Sequence, residues 1–375
     1  MNPLSHTVSY TFNLPHELLA TEPANPRDSS RVFVYDTATD SVQFDHFAHI
    51  DKYLPRGSTL VVNRTVVAPS RVVLVKSTGG KVVCLLLLNE KLEDDTHISG
   101  MVDRKIEVGE TLSLDDGSQT PRKPVMTCVS HQKDSIFLFR LHVSRGELIQ
   151  LLDKYGSMPI PLYLRHTGLS DKELHKRYQT VYSKQTVAVN SNSGSLDSLF
   201  SVAAPTAGLH FTQRVFDKLK KRGITRTEVV LEVGLGTFAP LSSEALEEGK
   251  LHTEWYQVPQ SSSEAILRSK AQGRKVIAVG TTVVRTLESY AKLSNSEQRT
   301  YGKYHPTDIF IREGHKFALV DCLVTNFHLP NSSLIMLVDA FLQNKCAKRN
   351  IIDLYEVAIR EKFRFYSFGD SMVIL

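Results

Sequence analysis

The sequence predicts an α+β, β-rich protein in which a small all-β unit is inserted into a larger mixed α/β domain. Residues 58–143 consist of short β-branched or apolar runs between turn residues, and no amphipathic helix interrupts them. Beyond residue 145, helical patterns alternate with short apolar strands. The length of 375 residues also favours two domains, at roughly 100–200 residues each.

The all-β unit follows a strand at Arg31–Tyr35 that we assign to the larger domain. Gly79-Gly80 and Asp115–Gly117 supply turns between its strands. This succession is typical of a small antiparallel barrel or sandwich. The predicted strands are Thr59–Val62, Arg71–Lys76, Lys81–Leu88, Thr111–Leu114, Val125–Ser130 and Ile136–His142.

A helix at Arg145–Tyr155 marks the change of character, and the larger domain continues beyond it. Gly223 follows an amphipathic helix at the position where glycine often ends helices. Polar stretches at residues 190–200 and 293–304 are predicted surface loops. The other predicted helices are Thr212–Arg222, Ser262–Gln272, Thr282–Leu293, Ser332–Gln343 and Asn350–Lys362. The other predicted strands are Glu228–Val233, Lys275–Val279 and Met372–Leu375.

The composition excludes several classes of protein. No apolar run approaches the roughly 18 residues of a membrane-spanning helix, and the first residues do not resemble a secretory signal. We therefore predict a cytoplasmic protein without a membrane partner. The four cysteines lie far apart, which excludes compact zinc and iron–sulfur motifs, and we predict no metal. A net charge of +5 is compatible with an anionic macromolecular partner, although many other enzymes are as basic.

Four dense segments predict a ligand-binding cleft. They place Gly, Thr, Asn and His at junctions between strands and helices, where a packed core would instead need apolar periodicity. Small and polar residues at such junctions are what a ligand-lined cleft needs. The segments are Ala203–Phe211, Val233–Phe238, Ala278–Ser289 and Thr325–Pro330.

The candidate histidines each have two interpretations. His252 and Glu254 are two residues apart, so on a strand they would share a face. They would then form either a base with its orienting partner or an ordinary surface pair. His210 and His328 lie in turns, where a histidine either serves a site or only satisfies local hydrogen bonds.

A strand–turn–helix unit carries Thr281, Thr282 and Arg285 at the start of its helix. Free backbone N–H groups, two hydroxyls and a cation suit a carboxylate or a phosphate, and ordinary threonine capping is the alternative. Gly234 and Gly236 form a lone GxG pair, which permits close approach to a ligand but is not the dinucleotide fingerprint.

Aromatic and basic residues in the middle of the chain suit recognition of an extruded base. Tyr163 and Tyr178 would stack on the base, while Arg165 and Lys176 would bind it or its neighbouring phosphates. Core tyrosines with polar tips are the alternative. A second basic cluster, Lys218–Arg222, is typical of a solvated helix face.

Taken in order, the four segments resemble the S-adenosylmethionine:tRNA ribosyltransferase-isomerases of queuosine synthesis, and the resemblance covers nearly the whole chain. The chain departs from the usual family pattern at Arg64, Val66, Glu232 and Gly249, and residues 190–200 look like an insertion. Further matching segments are Leu14-Pro15, Arg27-Asp28, Pro159–Pro161, Tyr178–Tyr182, His252 with Glu254–Tyr256, and Arg364–Asp370.

The resemblance implies a large α/β barrel-like domain, residues 1–65 and 155–375, with an inserted small β-barrel domain, residues 66–154. It also implies transfer and isomerisation of the ribosyl part of S-adenosylmethionine, with release of adenine and methionine. The acceptor would be a tRNA carrying 7-aminomethyl-7-deazaguanine at the wobble position. S-adenosylmethionine is then a co-substrate, and we expect a monomer without a permanently bound cofactor.

The implied chemistry needs a base, because the sulfonium makes the adjacent 5′-carbon acidic, and adenine departure benefits from an acid. By resemblance and position, the expected catalytic residues are His252, Glu254 and His210. The expected S-adenosylmethionine-binding residues are Thr206, Gly208, Gly234, Gly236, Thr281, Thr282, Arg285, Asn326 and His328. The expected tRNA-binding residues are Tyr163, Arg165, Lys176 and Tyr178.

Other functions remain as alternatives. The departures from the family pattern leave open a catalytically impaired tRNA-binding homologue of the same fold. A conventional methyltransferase is disfavoured, because no strand is followed by the expected glycine-rich loop with an acidic residue after the next strand. A radical enzyme is disfavoured by the missing cysteine triplet.

Overall fold

The larger domain is built on one nine-stranded mixed sheet. The computed structural model describes residues 10–90, 92, 94–117, 123–164, 167–183, 200–234, 241, 243–294, 300 and 302–375. The strands of this sheet are β1 (Arg31–Asp36), β2 (Ser41–His46), β3 (Thr59–Asn63), β12 (Thr225–Glu232), β13 (Lys250–Gln257), β14 (Val276–Val279), β15 (His305–Ile309), β16 (Cys322–Asn326) and β17 (Ser371–Ile374). Their order in the sheet is β15-β13-β12-β3-β14-β16-β17-β1-β2.

Four neighbouring strands run parallel through the centre of the sheet, namely β12, β3, β14 and β16. Strand β17 runs antiparallel to β16, and β1 runs parallel to β17. The carboxyl ends of the four parallel strands therefore meet the amino ends of β17 and β1 along one side of the sheet. We call this side the carboxyl edge.

Alternating residues of the central strands pack on opposite faces of the sheet. In β3, Val61 belongs to one apolar layer, whereas Leu60 and Val62 belong to the other. The helices of this domain are α2 (Asp171–Arg177), α3 (Gln213–Lys221), α4 (Ser243–Glu248), α5 (Gln260–Ala271), α6 (Thr281–Ala291), α7 (Ser333–Asn344) and α8 (Ile351–Arg360). Helices α5 to α8 pack on the first face and α3 packs on the second.

The smaller unit is a closed antiparallel barrel with its own apolar core. Helix α1 (Arg145–Tyr155) begins with a capping box formed by Ser144 and Glu147, and it packs Leu148 and Leu152 on this core. The barrel strands are β5 (Arg71–Lys76), β6 (Lys81–Leu86), β7 (His97–Val102), β8 (Thr111–Leu114), β9 (Pro124–Lys133) and β10 (Ile136–Leu141). They close in the order β10-β7-β6-β5-β8-β9.

Two chain crossings join the barrel to the larger domain. Strand β4 (Val66–Val67) pairs in parallel with β11 (Phe200–Ser201). On the other crossing, a Cβ atom added at Gly156 would lie 1.9 Å from the Pro69 carbonyl oxygen, so only glycine allows this approach. The barrel is therefore held close to the sheet that carries the candidate site.

The structure confirms the α+β, β-rich class and most predicted elements. Within the described residues the larger sheet has two ends, β15 and β2, whereas the smaller one closes. Strand β7 was not predicted, because Gly100 interrupts its pattern; a Cβ there would lie 2.6 Å from the Cys84 sulfur. The other strands and α-helices not predicted are β2, β4, β11, β15, β16, α2 and α4. Strand β3, predicted as Thr59–Val62 among the strands of the all-β unit, lies instead at the centre of the larger sheet. The domain boundaries at 65 and 155 stay a prediction. No helix among the described residues is long and apolar enough to cross a membrane.

Candidate active site

The described parts of all four dense segments meet at the carboxyl edge. The 3-10 helix Thr206–His210 packs on the ends of β14 and β16, and a Cβ at Gly280 would lie 3.6 Å from the Ala207 Cβ atom. Asn326 ends β16, and Gly234 follows the end of β12. The edges of parallel sheets where strands end are where open α/β proteins bind ligands.

Asn326 is the centre of a buried hydrogen-bond network. Its Oδ1 accepts a hydrogen bond from the Thr206 hydroxyl at 3.1 Å, and its Nδ2 lies 3.3 Å from the Tyr366 carbonyl oxygen. Because that carbonyl can only accept, it fixes the orientation of the amide. Nδ2 also lies 3.3 Å from His210 Nε2, which must therefore accept as well. The proton of the imidazole then resides on Nδ1, 2.9 Å from the Ser30 hydroxyl.

The environment of His210 is at odds with the predicted catalytic role. Both ring nitrogens are already engaged, by Asn326 and by Ser30. Burial, together with the positive charges of Arg364 and Arg27, lowers the pKa of His210 to about 3. This shift favours the neutral imidazole, whose two nitrogens are hydrogen-bonded to Asn326 and Ser30.

His328 is half-buried and also has hydrogen-bonding neighbours. Its Nε2 lies 2.9 Å from the Thr325 hydroxyl, and its backbone N–H donates to the Tyr355 hydroxyl at 2.8 Å. Burial lowers the pKa of His328 to about 4. A neutral His328 can contribute hydrogen bonds at the carboxyl edge but not a positive charge.

We expect the free energy of unfolding to fall as the pH is lowered from 7 to 5. The folded pKa values of His210 and His328 are about 3 and about 4, against an ordinary value of 6.5. Below pH 6.5 the unfolded chain therefore binds protons that the folded chain does not. At pH 5 each histidine then lowers the free energy of unfolding by about 2 kcal/mol relative to pH 7. Above pH 6.5 this loss disappears, because neither the folded nor the unfolded imidazole binds the proton.

Urea denaturation at several pH values between 5 and 7 measures this dependence. The His328→Gln variant keeps an oxygen that can accept from Thr325, and we expect it to lose roughly half of the pH dependence. His46→Gln, an exposed position on β2, is the control and should retain all of it. An unchanged dependence in His328→Gln would contradict the assignment.

The predicted pairing of His252 with Glu254 is wrong. Glu254 is 3% exposed, and its carboxylate accepts hydrogen bonds from the Arg285 guanidinium and from the Gly234 N–H at 3.0 Å. His252, in contrast, is exposed. Of the residues of β13, Trp255 to Gln257 pair with β12. His252 precedes this paired part of β13. The antiparallel direction of β13 nevertheless places His252 at the carboxyl edge.

Arg285 is a buried cation with unused donors. It is 7% exposed, one terminal nitrogen binds Glu254, and its Nε and second terminal nitrogen have no hydrogen-bond partner among the described residues. The hydroxyl of Thr282, one turn earlier on α6, is likewise buried without a described partner. A buried guanidinium with two free N–H groups suits a planar anion such as a carboxylate.

The threonines do not cap helix α6. Gly280 occupies the N-cap position with a φ of 88°, and no side chain accepts a hydrogen bond from the first turn. Glycine is required there because other residues rarely adopt this conformation. Thr281 is buried, and the Thr282 hydroxyl has no hydrogen-bond partner among the described residues. Because neither hydroxyl caps the helix, the alternative of ordinary threonine capping is excluded.

The predicted glycines differ in what they do. A Cβ at Gly208 would lie 1.9 Å from the Tyr182 hydroxyl oxygen, so this glycine is explained by packing rather than by a ligand. A Cβ at Gly234 would lie 3.4 Å from Asn89 Nδ2 and 3.9 Å from Glu254 Cγ, which are ordinary contacts. Gly236 lies outside the described residues.

The predicted base-stacking residues separate in the structure. Tyr178 is 1% exposed and packs edge-on against Phe368, so it belongs to the core and cannot stack on a base. Tyr163 is half-buried, shares a hydrogen bond with Ser367, and has a pKa raised to about 12 by burial. Arg165 lies outside the described residues.

Lys176 lies on the wall of an open groove of about 710 Å³. Lys172, His175 and Arg27 also line this groove. The Arg27 guanidinium donates to the backbone carbonyls of Gln179 and, at 2.9 Å, Lys176, which fixes helix α2 against the N-terminal segment. The groove therefore presents two exposed lysine ammonium groups on a fixed helix.

The structure shows the local environment of each position that departs from the family pattern. Gly249 follows α4 with a φ of 67°, a conformation that favours glycine. Glu232 is fully buried at the end of β12. Val66 takes part in the β4–β11 pairing, and Arg64 donates its backbone N–H to Val229 at 3.0 Å. Only Glu232 of these four is a buried charged side chain next to the carboxyl edge.

Sequence reasoning missed Ser30 and Tyr366 as members of the Asn326 network. Ser30 immediately precedes β1, and Tyr366 acts through its backbone carbonyl, which leaves no residue-type signal. The alternation of β1 and the neighbouring Arg27-Asp28 motif were the available hints for Ser30. Among the described residues, no three histidine, cysteine or acidic side chains come together in a way that could hold a metal ion.

Comparisons with known proteins give matches over nearly the whole chain. The family profile described as "Queuosine biosynthesis protein" matches residues 7–374. A curated S-adenosylmethionine:tRNA ribosyltransferase-isomerase from Clostridioides difficile (strain 630) is 40% identical, over 98% of this chain and 99% of that protein. One from Caldanaerobacter subterraneus subsp. tengcongensis is 38% identical over 98% of both. The crystal structure of an S-adenosylmethionine tRNA ribosyltransferase from Thermotoga maritima is 28% identical, covers 98% of this chain and 99% of its own, and gives a TM-score of 0.50.

Proposed function

The chain belongs to the queuosine biosynthesis family of S-adenosylmethionine:tRNA ribosyltransferase-isomerases, and we propose that its carboxyl edge carries out that reaction. The ribosyl part of S-adenosylmethionine is transferred to 7-aminomethyl-7-deazaguanine at the wobble position of a tRNA and isomerised, and adenine and methionine leave. The buried hydrogen-bond network of Asn326, together with the unused donors of Arg285, is the main support for placing the site at this edge.

The co-substrate would lie along the carboxyl edge between these two features. The hydrogen bonds of Asn326 to Thr206 and His210 fix the turn at residues 206–210 against the end of β16. Because this turn is already ordered, binding of a nucleoside carries little additional entropic cost for ordering its backbone. Arg285, at the other side, suits the anionic end of the co-substrate.

His252 is the candidate for the base. Its imidazole is exposed, in contrast to the buried His210 and the half-buried His328, so a substrate at the carboxyl edge can reach it. It lies on β13 two residues before Glu254, which binds Arg285. General base catalysis from this position would act on the acidic carbon next to the sulfonium.

We expect His252→Ala to lower kcat by at least about tenfold, the lower part of the range for general acid–base groups, and to leave tRNA affinity nearly unchanged. Steady-state adenine release and a tRNA binding assay measure the two quantities. His46→Ala, an exposed histidine on β2 at the far end of the same sheet, is the matched control. Wild-type turnover in His252→Ala would remove His252 from the mechanism.

The lysine groove on α2 is the candidate surface for the anticodon arm. Lys172 and Lys176 are exposed along it, and the half-buried Tyr163 remains a predicted tRNA contact. Lysine ammonium groups bind phosphates without reading sequence, so this surface would position the tRNA while the site itself reads the modified base.

We expect the double reversal Lys172→Glu/Lys176→Glu to weaken tRNA binding by about tenfold or more at roughly 0.1 M salt. The slope of log K against log salt concentration should fall by about 1.5, since two phosphate contacts are lost. Lys220→Glu/Lys221→Glu makes the same change of charge at the exposed end of α3 and is the control. Equal effects of the two pairs would show a nonspecific response to net charge.

Adenine release tests the proposed function directly. The protein is incubated with S-adenosylmethionine and tRNA that carries either 7-aminomethyl-7-deazaguanine or ordinary guanine at the wobble position. We expect adenine, measured by chromatography, in proportion to the modified tRNA only. A protein that binds this tRNA without releasing adenine would instead be the catalytically impaired homologue.

A further inference from the structure

Polar atoms without partners surround the Glu254–Arg285 pair on two sides. On one side are Nε and a terminal nitrogen of Arg285 together with the Thr282 hydroxyl. On the other is the Oδ1 atom of Asn89. All are buried, and none has a hydrogen-bond partner within the described part of the chain. Buried polar groups are nearly always satisfied, so this combination indicates a ligand.

Asn89 belongs to the barrel, not to the sheet that carries the rest of the site. It follows β6, in a turn held by hydrogen bonds from the Leu87 N–H to the Ser99 carbonyl at 2.9 Å and from the Glu90 N–H to Leu87 at 3.2 Å. Its Nδ2 lies 3.4 Å from the position that a Cβ on Gly234 would occupy. The Gly234 N–H in turn donates to Glu254 at 3.0 Å, so Asn89 reaches the Arg285 pocket across the domain boundary.

The chemistry of these atoms defines the ligand. The Arg285 guanidinium can only donate hydrogen bonds, and the Asn89 Oδ1 atom can only accept them. A ligand that satisfies both presents an anionic acceptor to Arg285 and a hydrogen-bond donor to Asn89. The phosphodiester of a nucleic acid supplies the first but not the second, because it has no donor. The α-amino acid group supplies both, because its carboxylate and its ammonium share one carbon.

We propose that Asn89 accepts a hydrogen bond from the α-ammonium group of the methionine part of S-adenosylmethionine, while Arg285 and Thr282 bind the α-carboxylate. This assignment rests on the proposed function and adds a specificity-determining residue from the barrel. Arg285 and Thr282 lie three residues apart on α6, so both face the same side of the helix. Glu254 has a positioning role, because it holds the guanidinium through one nitrogen and leaves the other two for the ligand.

Calorimetric titration of the full chain tests the proposal with two probes, S-adenosylmethionine and its analogue that carries hydrogen in place of the α-ammonium group. Asn89→Ala should weaken binding of S-adenosylmethionine by about tenfold to hundredfold, the range for a hydrogen bond to a charged group. The same variant should bind the analogue as the wild type does. Asn89→Asp keeps an acceptor and should bind S-adenosylmethionine within about threefold of the wild type.

Glu90→Gln, on the same turn, is the control and should leave both affinities unchanged. The proposal is overturned if Asn89→Ala weakens binding of both probes equally, or if Asn89→Asp binds S-adenosylmethionine as poorly as Asn89→Ala. Inorganic phosphate, which presents no ammonium group to Asn89, should compete for Arg285 with the same affinity in the wild type and in Asn89→Ala. These outcomes leave adenine release by the wild type untouched, so failure here is distinguishable from failure of the proposed function.

Discussion

Arg285→Ala is expected to raise the dissociation constant of S-adenosylmethionine by about hundredfold, because a buried charge-assisted contact to a carboxylate is lost. The same change leaves the Glu254 carboxylate buried and without its cation. Breaking a buried pair in this way costs about 3–5 kcal/mol of stability. Calorimetric titration and urea denaturation measure the two effects separately.

A double variant separates ligand binding from folding. Glu254→Gln/Arg285→Leu removes both charges and retains an oxygen that can accept from the Gly234 N–H. It should recover most of the lost stability, since replacing both members of a buried ion pair is often nearly neutral. Its affinity for S-adenosylmethionine should stay as low as that of Arg285→Ala. If affinity returned together with stability, Arg285 would have only a structural role.

The fold was predictable where local pattern and tertiary environment agree. Arg71–Lys76 and Thr111–Leu114 alternate as barrel strands must, and Arg145–Tyr155 carries its own capping box, so the predicted bounds match the structure. Strand β16 was not predicted, because the polar residues at its end interrupt the apolar pattern that is typical of a buried strand. Edge strands β2 and β15 lack a continuous apolar pattern because one side of each is open.

The site was predictable where it follows from chain direction alone. Thr206, His210 and Asn326 come together because parallel strands end along one edge, which their motifs already indicated. Partner choice was not predictable. Glu254 bonds Arg285 rather than His252 because β12 ends its pairing at Trp255, a tertiary fact that a spacing of two residues does not contain. Tyr178 and Tyr163 differ only in how the surrounding core covers them.

Among changes to the Asn326 network, we expect the largest effect from Asn326→Asp. This substitution preserves the shape of the side chain and removes its only hydrogen-bond donor, the Nδ2 amide. Asn326 is 3% exposed, and its Nδ2 serves both Tyr366 and His210. An oxygen in that place would face the Tyr366 carbonyl without a shared proton. We expect a loss of about 2–4 kcal/mol of stability, as for a buried group that loses its partners. Adenine release should fall by about hundredfold or more, because His210, at the end of the Thr206–His210 turn, loses the Nδ2 hydrogen bond that holds it.

A spectroscopic signature distinguishes this outcome from general unfolding of Asn326→Asp. The introduced carboxylate favours the imidazolium form, so the pKa of His210, about 3 in the wild type, should rise toward neutrality. Nitrogen NMR of the histidine rings measures the shift. Asn344→Asp is the matched control, because the Asn344 oxygen accepts from the Phe317 N–H at 3.4 Å and an aspartate retains that acceptor. Asn344→Asp should change stability by about 1 kcal/mol or less, mainly through the helix C-terminus. If the pKa of His210 stayed at about 3 in folded Asn326→Asp, the tautomer and the direction of the network assigned here would be wrong.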